Sequence, residues 1–170
     1  MKTCVIYFSH NKENYFGGTI KDLEVGNTKV VAKKIVDLLA CDESEIVPVK
    51  DYPAAYARCT DVAKAESLAD ERPAIKDEKK DLSAYDTIIL GYPNWWGTMP
   101  MVVKTFLEKN DLSGKTIYPY CTHEGSGMGH SEKDLSVLCP QSHVKKGLPI
   151  RGGSVEQSDE AIKQWLKEVM

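Results

Sequence analysis

The chain has 170 residues, 42% of them apolar and 28% charged, with a formal net charge of −3. That length suits one domain over residues 1–170 with a sizeable core, and the composition is that of a globular protein. The weak negative balance, with Lys and Arg in no dominant cluster, argues against nucleic acid or an anionic membrane as partner.

Cys4 to Phe8 is a continuous apolar run, expected as a strand covered on both faces. Because the chain enters it directly from Met1-Lys2-Thr3, a secretory signal is not expected; no run reaches transmembrane length either. The five cysteines (Cys4, Cys41, Cys59, Cys121, Cys139) are widely spaced without a C-x-x-C pair. They read as reduced, mostly buried thiols, and a cytoplasmic location is expected.

After Ser9, His10 and Asn11 comes a polar stretch dotted with aromatics as far as Val25, then Gly26-Asn27-Thr28. An amphipathic helix follows, with Val31, Ile35, Leu38 and Leu39 on one face. This connection, with its insert at about 10–25, is far longer than the roughly 2 to 6 residues usual between a strand and its helix. Glu45 to Val49 is expected as a second strand, at a sheet edge because Pro48 cannot donate to a ladder. A helix is expected from about Ala54 to Ala69, then a charged linker broken at Arg72-Pro73.

The third strand, Ile88-Ile89-Leu90-Gly91, empties into Tyr92-Pro93-Asn94-Trp95-Trp96-Gly97. Pro100 then opens a helix through Val102, Val103, Phe106 and Leu107 as a first-turn residue. Lys115 to Cys121 reads as a fourth strand, although Pro119 within it counts against a central position. Thr122 to Gly129 is a glycine-rich loop, followed by a short helix with Leu135 and Leu138 and a weak fifth strand from Val144 to Ile150. The last helix opens on Ser158 as N-cap and buries Ile162, Trp165, Leu166 and Val169.

Strands alternating with helices imply a three-layer α/β fold, a doubly wound parallel sheet of five strands. In the order 2-1-3-4-5, the loops after the first, third and fourth strands line one crevice at the switch point. The first offers Ser9, Asn27 and Thr28 beside a helix N-terminus, which favours an anion. It carries neither G-x-x-x-x-G-K-[ST] nor G-x-G-x-x-G, so hydroxyl capture of one terminal phosphate fits better than a P-loop or dinucleotide fingerprint. Asn27 or Thr28 taken alone reads first as a helix cap rather than a ligand. The paired indoles after the third strand suit a flat aromatic ligand, or packing over the sheet end.

Together these motifs resemble the flavodoxin-like family, in particular its short flavodoxins that bind FMN. The carrying residues are Phe8-Ser9 with Gly26-Asn27-Thr28, then Gly91 to Gly97 with Met99-Pro100, and the Thr122 to Gly129 loop. The resemblance implies that Ser9, Asn27 and Thr28, with backbone of the first loop including Gly26, hold the FMN phosphate. It implies that Pro93, Asn94, Trp95, Trp96 and Gly97 border the isoalloxazine, Trp95 being the favoured stacking ring. Thr122, His123, Glu124, Gly125 and Gly127 would cover its opposite edge. No catalytic side chain is implied, because the chemistry is the flavin's.

The family pattern has a much shorter first loop, so the insert leaves His10 and Asn11 open as phosphate ligands; two roles stand for it, placing Tyr15 or Phe16 over the ribityl chain or reaching toward a partner. Glu124 is a second departure, since a carboxylate beside a reduced flavin disfavours its anion. His123 and His130, near Cys121 and Cys139, match no common zinc spacing, so no metal is expected. The function expected is a flavodoxin-type electron carrier serving a redox protein partner. An FMN-dependent NAD(P)H:quinone-type oxidoreductase using a small electron acceptor is the alternative, and a flavin-free interaction module the third reading.

Overall fold

β-branched runs and amphipathic stretches alternate along the chain, and the fold sorts them into a sheet wrapped by helices. The computed structural model describes all 170 residues. In chain order the elements are β1 (Thr3–Tyr7), β2 (Lys12–Phe16), β3 (Thr19–Leu23), α1 (Asn27–Leu39), β4 (Asp42–Glu45), α2 (Tyr56–Leu68) and β5 (Thr87–Pro93). They continue with α3 (Met101–Lys109), β6 (Thr116–His123), α4 (Ser131–Leu138), β7 (His143–Val144), β8 (Leu148–Arg151), a 3-10 turn (Gly152–Gln157) and α5 (Asp159–Leu166). The main sheet is parallel, in the order β4-β1-β5-β6, with β7 and β8 both beside β6. The expected order 2-1-3-4-5 is therefore present, its fifth position filled by two short pieces.

Side chains alternate across the strands and divide the core in two. Ile6, Phe8, Ile88, Leu90 and Ile117 pack with Val102, Val103 and Phe106 of α3 and Leu135 of α4. Val5, Tyr7, Ile89, Tyr118 and Tyr120 pack with Val31 and Ile35 of α1 and with Ile162, Trp165 and Leu166 of α5. Leu38 belongs to neither and stays exposed.

Four expectations are corrected. The insert is an antiparallel hairpin, β2 with β3, joined by Gly17-Gly18. Both glycines have positive φ, 66° and 92°, the backbone that a two-residue hairpin turn requires. The second strand lies a few residues earlier than expected, at the sheet edge. Past Ile46, whose N–H still reaches the Tyr7 carbonyl, the chain leaves the sheet, and Pro48 bridges to Ile75 instead. Ser158 stands at the start of α5 but does not cap it; its hydroxyl donates back to the Val155 carbonyl at 2.5 Å. The fifth strand is broken between Val144 and Leu148.

That break explains how Pro119 occupies a central strand. β7 pairs with Thr116 and Ile117, and β8 with Tyr120 through His123. The Ile117 carbonyl accepts from Lys145 on the β7 side, so two residues on, the nitrogen of Pro119 faces the same side. It falls where no strand runs alongside, and no ladder bond is lost.

Candidate functional site

The carboxyl ends of β1, β5 and β6 open into a cleft of about 460 Å³. Its lining combines these strand ends with the first turn of α1, the inner face of α2 and the β2–β3 hairpin. Ten of the sixteen residues singled out in the sequence line it: His10, Asn27, Thr28, Pro93, Asn94, Trp95, Trp96, Thr122, His123 and Glu124. Ser9, Asn11, Gly26, Gly97, Gly125 and Gly127 do not line it.

Several of those six shape the wall. Gly26 is the N-cap of α1 and has ordinary φ, so its glycine is a matter of space. A β-carbon there would collide with Ser9 Oγ and the His10 carbonyl. Ser9 Oγ accepts the Lys29 N–H at 3.1 Å, supplying the side-chain cap that Gly26 cannot. Thr28 and Thr122, both buried, share a hydroxyl hydrogen bond of 2.7 Å that ties α1 to β6.

The loops after β5 and β6 form one stitched unit. Asn94 donates its amide to the Gly127 carbonyl at 2.9 Å and accepts the Gly97 N–H at 3.0 Å. His130 N–H donates to the Gly97 carbonyl, and Asp134 accepts the Thr98 hydroxyl at 2.5 Å while facing His130 Nδ1 at 2.8 Å. Gly125 N–H donates to His123 Nδ1 at 2.9 Å. His123 and His130 thus serve loop geometry, and no group of three His, Cys, Asp or Glu side chains converges.

The two tryptophans do different things. Trp95 is half-buried, its ring meeting those of Phe8, Tyr52 and His10 edge-on at 4.8 to 5.8 Å. Trp96 stands 51% exposed. It and Gly97 have φ of 57° and 88° and form the tip of a tight turn bridging Trp95 to Thr98. A tryptophan in the left-handed region is strained by about 1–3 kcal/mol and needs support. Its indole N–H donates to the Thr60 carbonyl at 3.1 Å, and the Lys64 ammonium lies over the ring at 5.2 Å.

Sequence reasoning missed the contribution of α2, whose Tyr56, Cys59, Thr60 and Ala63 line the cleft, and of Glu13 and Asn14. The hairpin is locked to that helix: Glu13 N–H reaches the Ala54 carbonyl at 3.2 Å and Glu13 Oε2 accepts the Tyr56 N–H at 2.7 Å. Tyr15 packs edge-to-face on Tyr56 at 5.1 Å. The signal for the hairpin was present in Tyr15-Phe16-Gly17-Gly18-Thr19-Ile20, a Gly-Gly pair between strand-forming residues.

Two buried polar atoms have no hydrogen-bond partner, His10 Nε2 and Glu124 Oε1. Both residues face the cleft. Burial pushes the His10 imidazole below its ordinary value. The folded state therefore favours neutral His10, while the unfolded chain takes a proton near pH 6.5. Stability from this group is complete above that pH and is lost as pH falls below it. His10→Gln is expected to make the urea midpoint fall less steeply from pH 7 to pH 5 than in the wild type; equal slopes would refute the assignment.

With the site in view, the chain can be placed among known proteins. The sequence model of the family described as Flavodoxin matches residues 22–169. The chain belongs to the flavodoxin family. The flavodoxin match begins in β3, so β1 and the first arm of the hairpin lie outside it. No curated protein matches the chain. A solved structure from Bacteroides uniformis, described as a candidate flavoprotein, is 32% identical over 98% of this chain and 97% of its own, with a TM-score of 0.75. A similarly described protein from Bacteroides eggerthii is 29% identical over 98% and 96%, with a TM-score of 0.79. A Lactobacillus acidophilus flavoprotein solved in complex with FMN shares the fold at 20% identity, over 92% and 97%, with a TM-score of 0.65. No helix of this flavodoxin-family chain is long and apolar enough to cross a membrane.

Proposed function

We propose that the chain binds FMN and acts as a flavodoxin-type electron-transfer protein, exchanging electrons with a redox protein partner or a small acceptor. The observation that carries this reading is the cleft itself: the first turn of a 13-residue helix, hydroxyls and aromatic rings meet at the switch point of a parallel sheet. The residues fit the cofactor. The start of α1 offers free N–H groups and a positive dipole end to a phosphate, with Thr28 and Thr122 beside it. Trp95 and Trp96 border space for a flat ring, and Trp96 presents the freer surface. His10 Nε2 and Glu124 Oε1 await polar partners that a ligand with hydroxyl and phosphate groups can supply. When bound, FMN supplies the redox chemistry, and the protein orients it and tunes its surroundings.

The test is the visible spectrum of the purified protein after FMN is added and the sample desalted. Two retained flavin bands support the proposal. A colourless protein would overturn it and bring forward the flavin-free interaction module.

One observation favours the second reading, an FMN-dependent reductase passing electrons from NAD(P)H to a quinone-like molecule. The hairpin and α2 add a side wall to the cleft, an element from which an acceptor pocket can be built. Steady-state NAD(P)H consumption with a quinone separates the two, because a carrier shows almost none without a reductase.

A further inference from the structure

Glu124 is in an unusual position for a carboxylate. Its Oε1 is covered and has no hydrogen-bond partner. The nearest guanidinium does not neutralise it: Arg151 Nη1 donates to the main-chain carbonyl of Glu124, at 3.2 Å, rather than to its carboxylate. An ionised carboxylate only accepts hydrogen bonds, and leaving a covered oxygen unpaired is costly. The group that completes it must therefore be a donor, and a phosphate is excluded because like charges repel.

The position of this oxygen narrows the choice. A β-carbon on Gly152 would collide with the side-chain amide of Asn27 and come within 3.0 Å of Glu124 Oε1. Both groups therefore crowd one point beside Gly152, at the first residue of α1. On the FMN reading, on which this inference rests, the phosphate sits at that helix end. The ligand's hydroxyl donors lie on the polyol chain joining phosphate to ring, nearer that end than the ring's own N–H.

We propose that Glu124 accepts hydrogen bonds from the ribityl hydroxyls, making it a specificity-determining residue that selects flavins carrying a polyhydroxyl chain over the bare ring.

The experiment compares riboflavin, which has the chain but no phosphate, with lumiflavin, which has neither. Dissociation constants are read from quenching of flavin fluorescence on wild type, Glu124→Gln and Glu124→Ala. The wild type is expected to prefer riboflavin. Glu124→Ala is expected to weaken riboflavin by roughly tenfold or more, the scale of a hydrogen bond to a charged group. Glu124→Gln, a neutral acceptor of the same shape, is expected to fall between them, and lumiflavin to change by less than about twofold. Equal losses for both ligands would assign Glu124 to the ring or to loop structure and overturn the proposal. Unchanged or tighter riboflavin binding would overturn it too. Wild-type protein that takes up neither FMN nor riboflavin would overturn the cofactor reading itself, a failure recognisable before any variant is made.

Discussion

Truncating Trp95 to alanine is expected to cost about 2–4 kcal/mol of stability, somewhat under the roughly 3–5 kcal/mol for a fully buried aromatic because the ring is only half-buried. Its indole is wedged among Phe8, Tyr52 and His10 and belongs to the edge of the α3–α4 side of the core. Trp96→Ala is expected to leave stability within about 1 kcal/mol, because the ring is half-exposed and alanine keeps the β-carbon, so the strain of the left-handed backbone is unchanged. For FMN affinity the ranking reverses. Losing the Trp96 ring is expected to weaken binding by about 1–3 kcal/mol, the scale of one stacking contact. Urea melts and FMN titrations on the two variants read both quantities. A Trp96 variant with full flavin affinity would return the stacking role to Trp95, the ring the family resemblance points to.

The largest expected effect away from the cleft surface is at Gly91. This residue lies mid-sheet, opposite Tyr7 on β1 and Tyr120 on β6. A β-carbon built on it would overlap the Tyr120 ring. That ring is fully buried, and its hydroxyl donates to the Thr28 carbonyl at 3.0 Å, so it has nowhere to retreat. Gly91→Ala is expected to cost about 3 kcal/mol, the upper end for overpacking a core. Moving Tyr120 also disturbs the first turn of α1, so FMN affinity should fall with stability. Tyr120→Phe keeps the ring and loses only its hydroxyl, and about 1 kcal/mol is expected. A Gly91→Ala protein as stable as the wild type would show that the sheet can open at this point.

The sheet was legible in the sequence because buried parallel strands are plain apolar runs. Cys4 to Phe8 and Ile88 to Gly91 lie almost where the strands lie. The helices whose buried faces repeat regularly were equally legible, α5 most of all, with all four expected residues in the core. The edge strand was misplaced because Asp42–Glu45 is polar, and the apolar signal of Ile46 to Val49 belongs to residues leaving the sheet. The broken fifth strand was blurred because its gap exists only through pairing with β6. At the cleft, residues from the three strand-end loops could be named in advance because they follow recognisable strands. The contribution of α2 could not, since Tyr56, Cys59, Thr60 and Ala63 meet the cleft only through long-range packing of that helix. The capping duty of Ser9 was hidden for the same reason: the N–H it accepts is twenty residues away.

The two margins of the main sheet have a consequence for self-association. On one side the outermost strand, β4, is four residues long and carries Asp42, Glu43 and Glu45. On the other, β7 and β8 offer two and four residues, separated by a gap and out of line as a continuous template. Edge-to-edge growth needs a long, flat, uncharged row of free backbone groups. Neither margin provides one, so the interruption that lets Pro119 sit in mid-sheet also leaves a neighbouring chain little to zip onto.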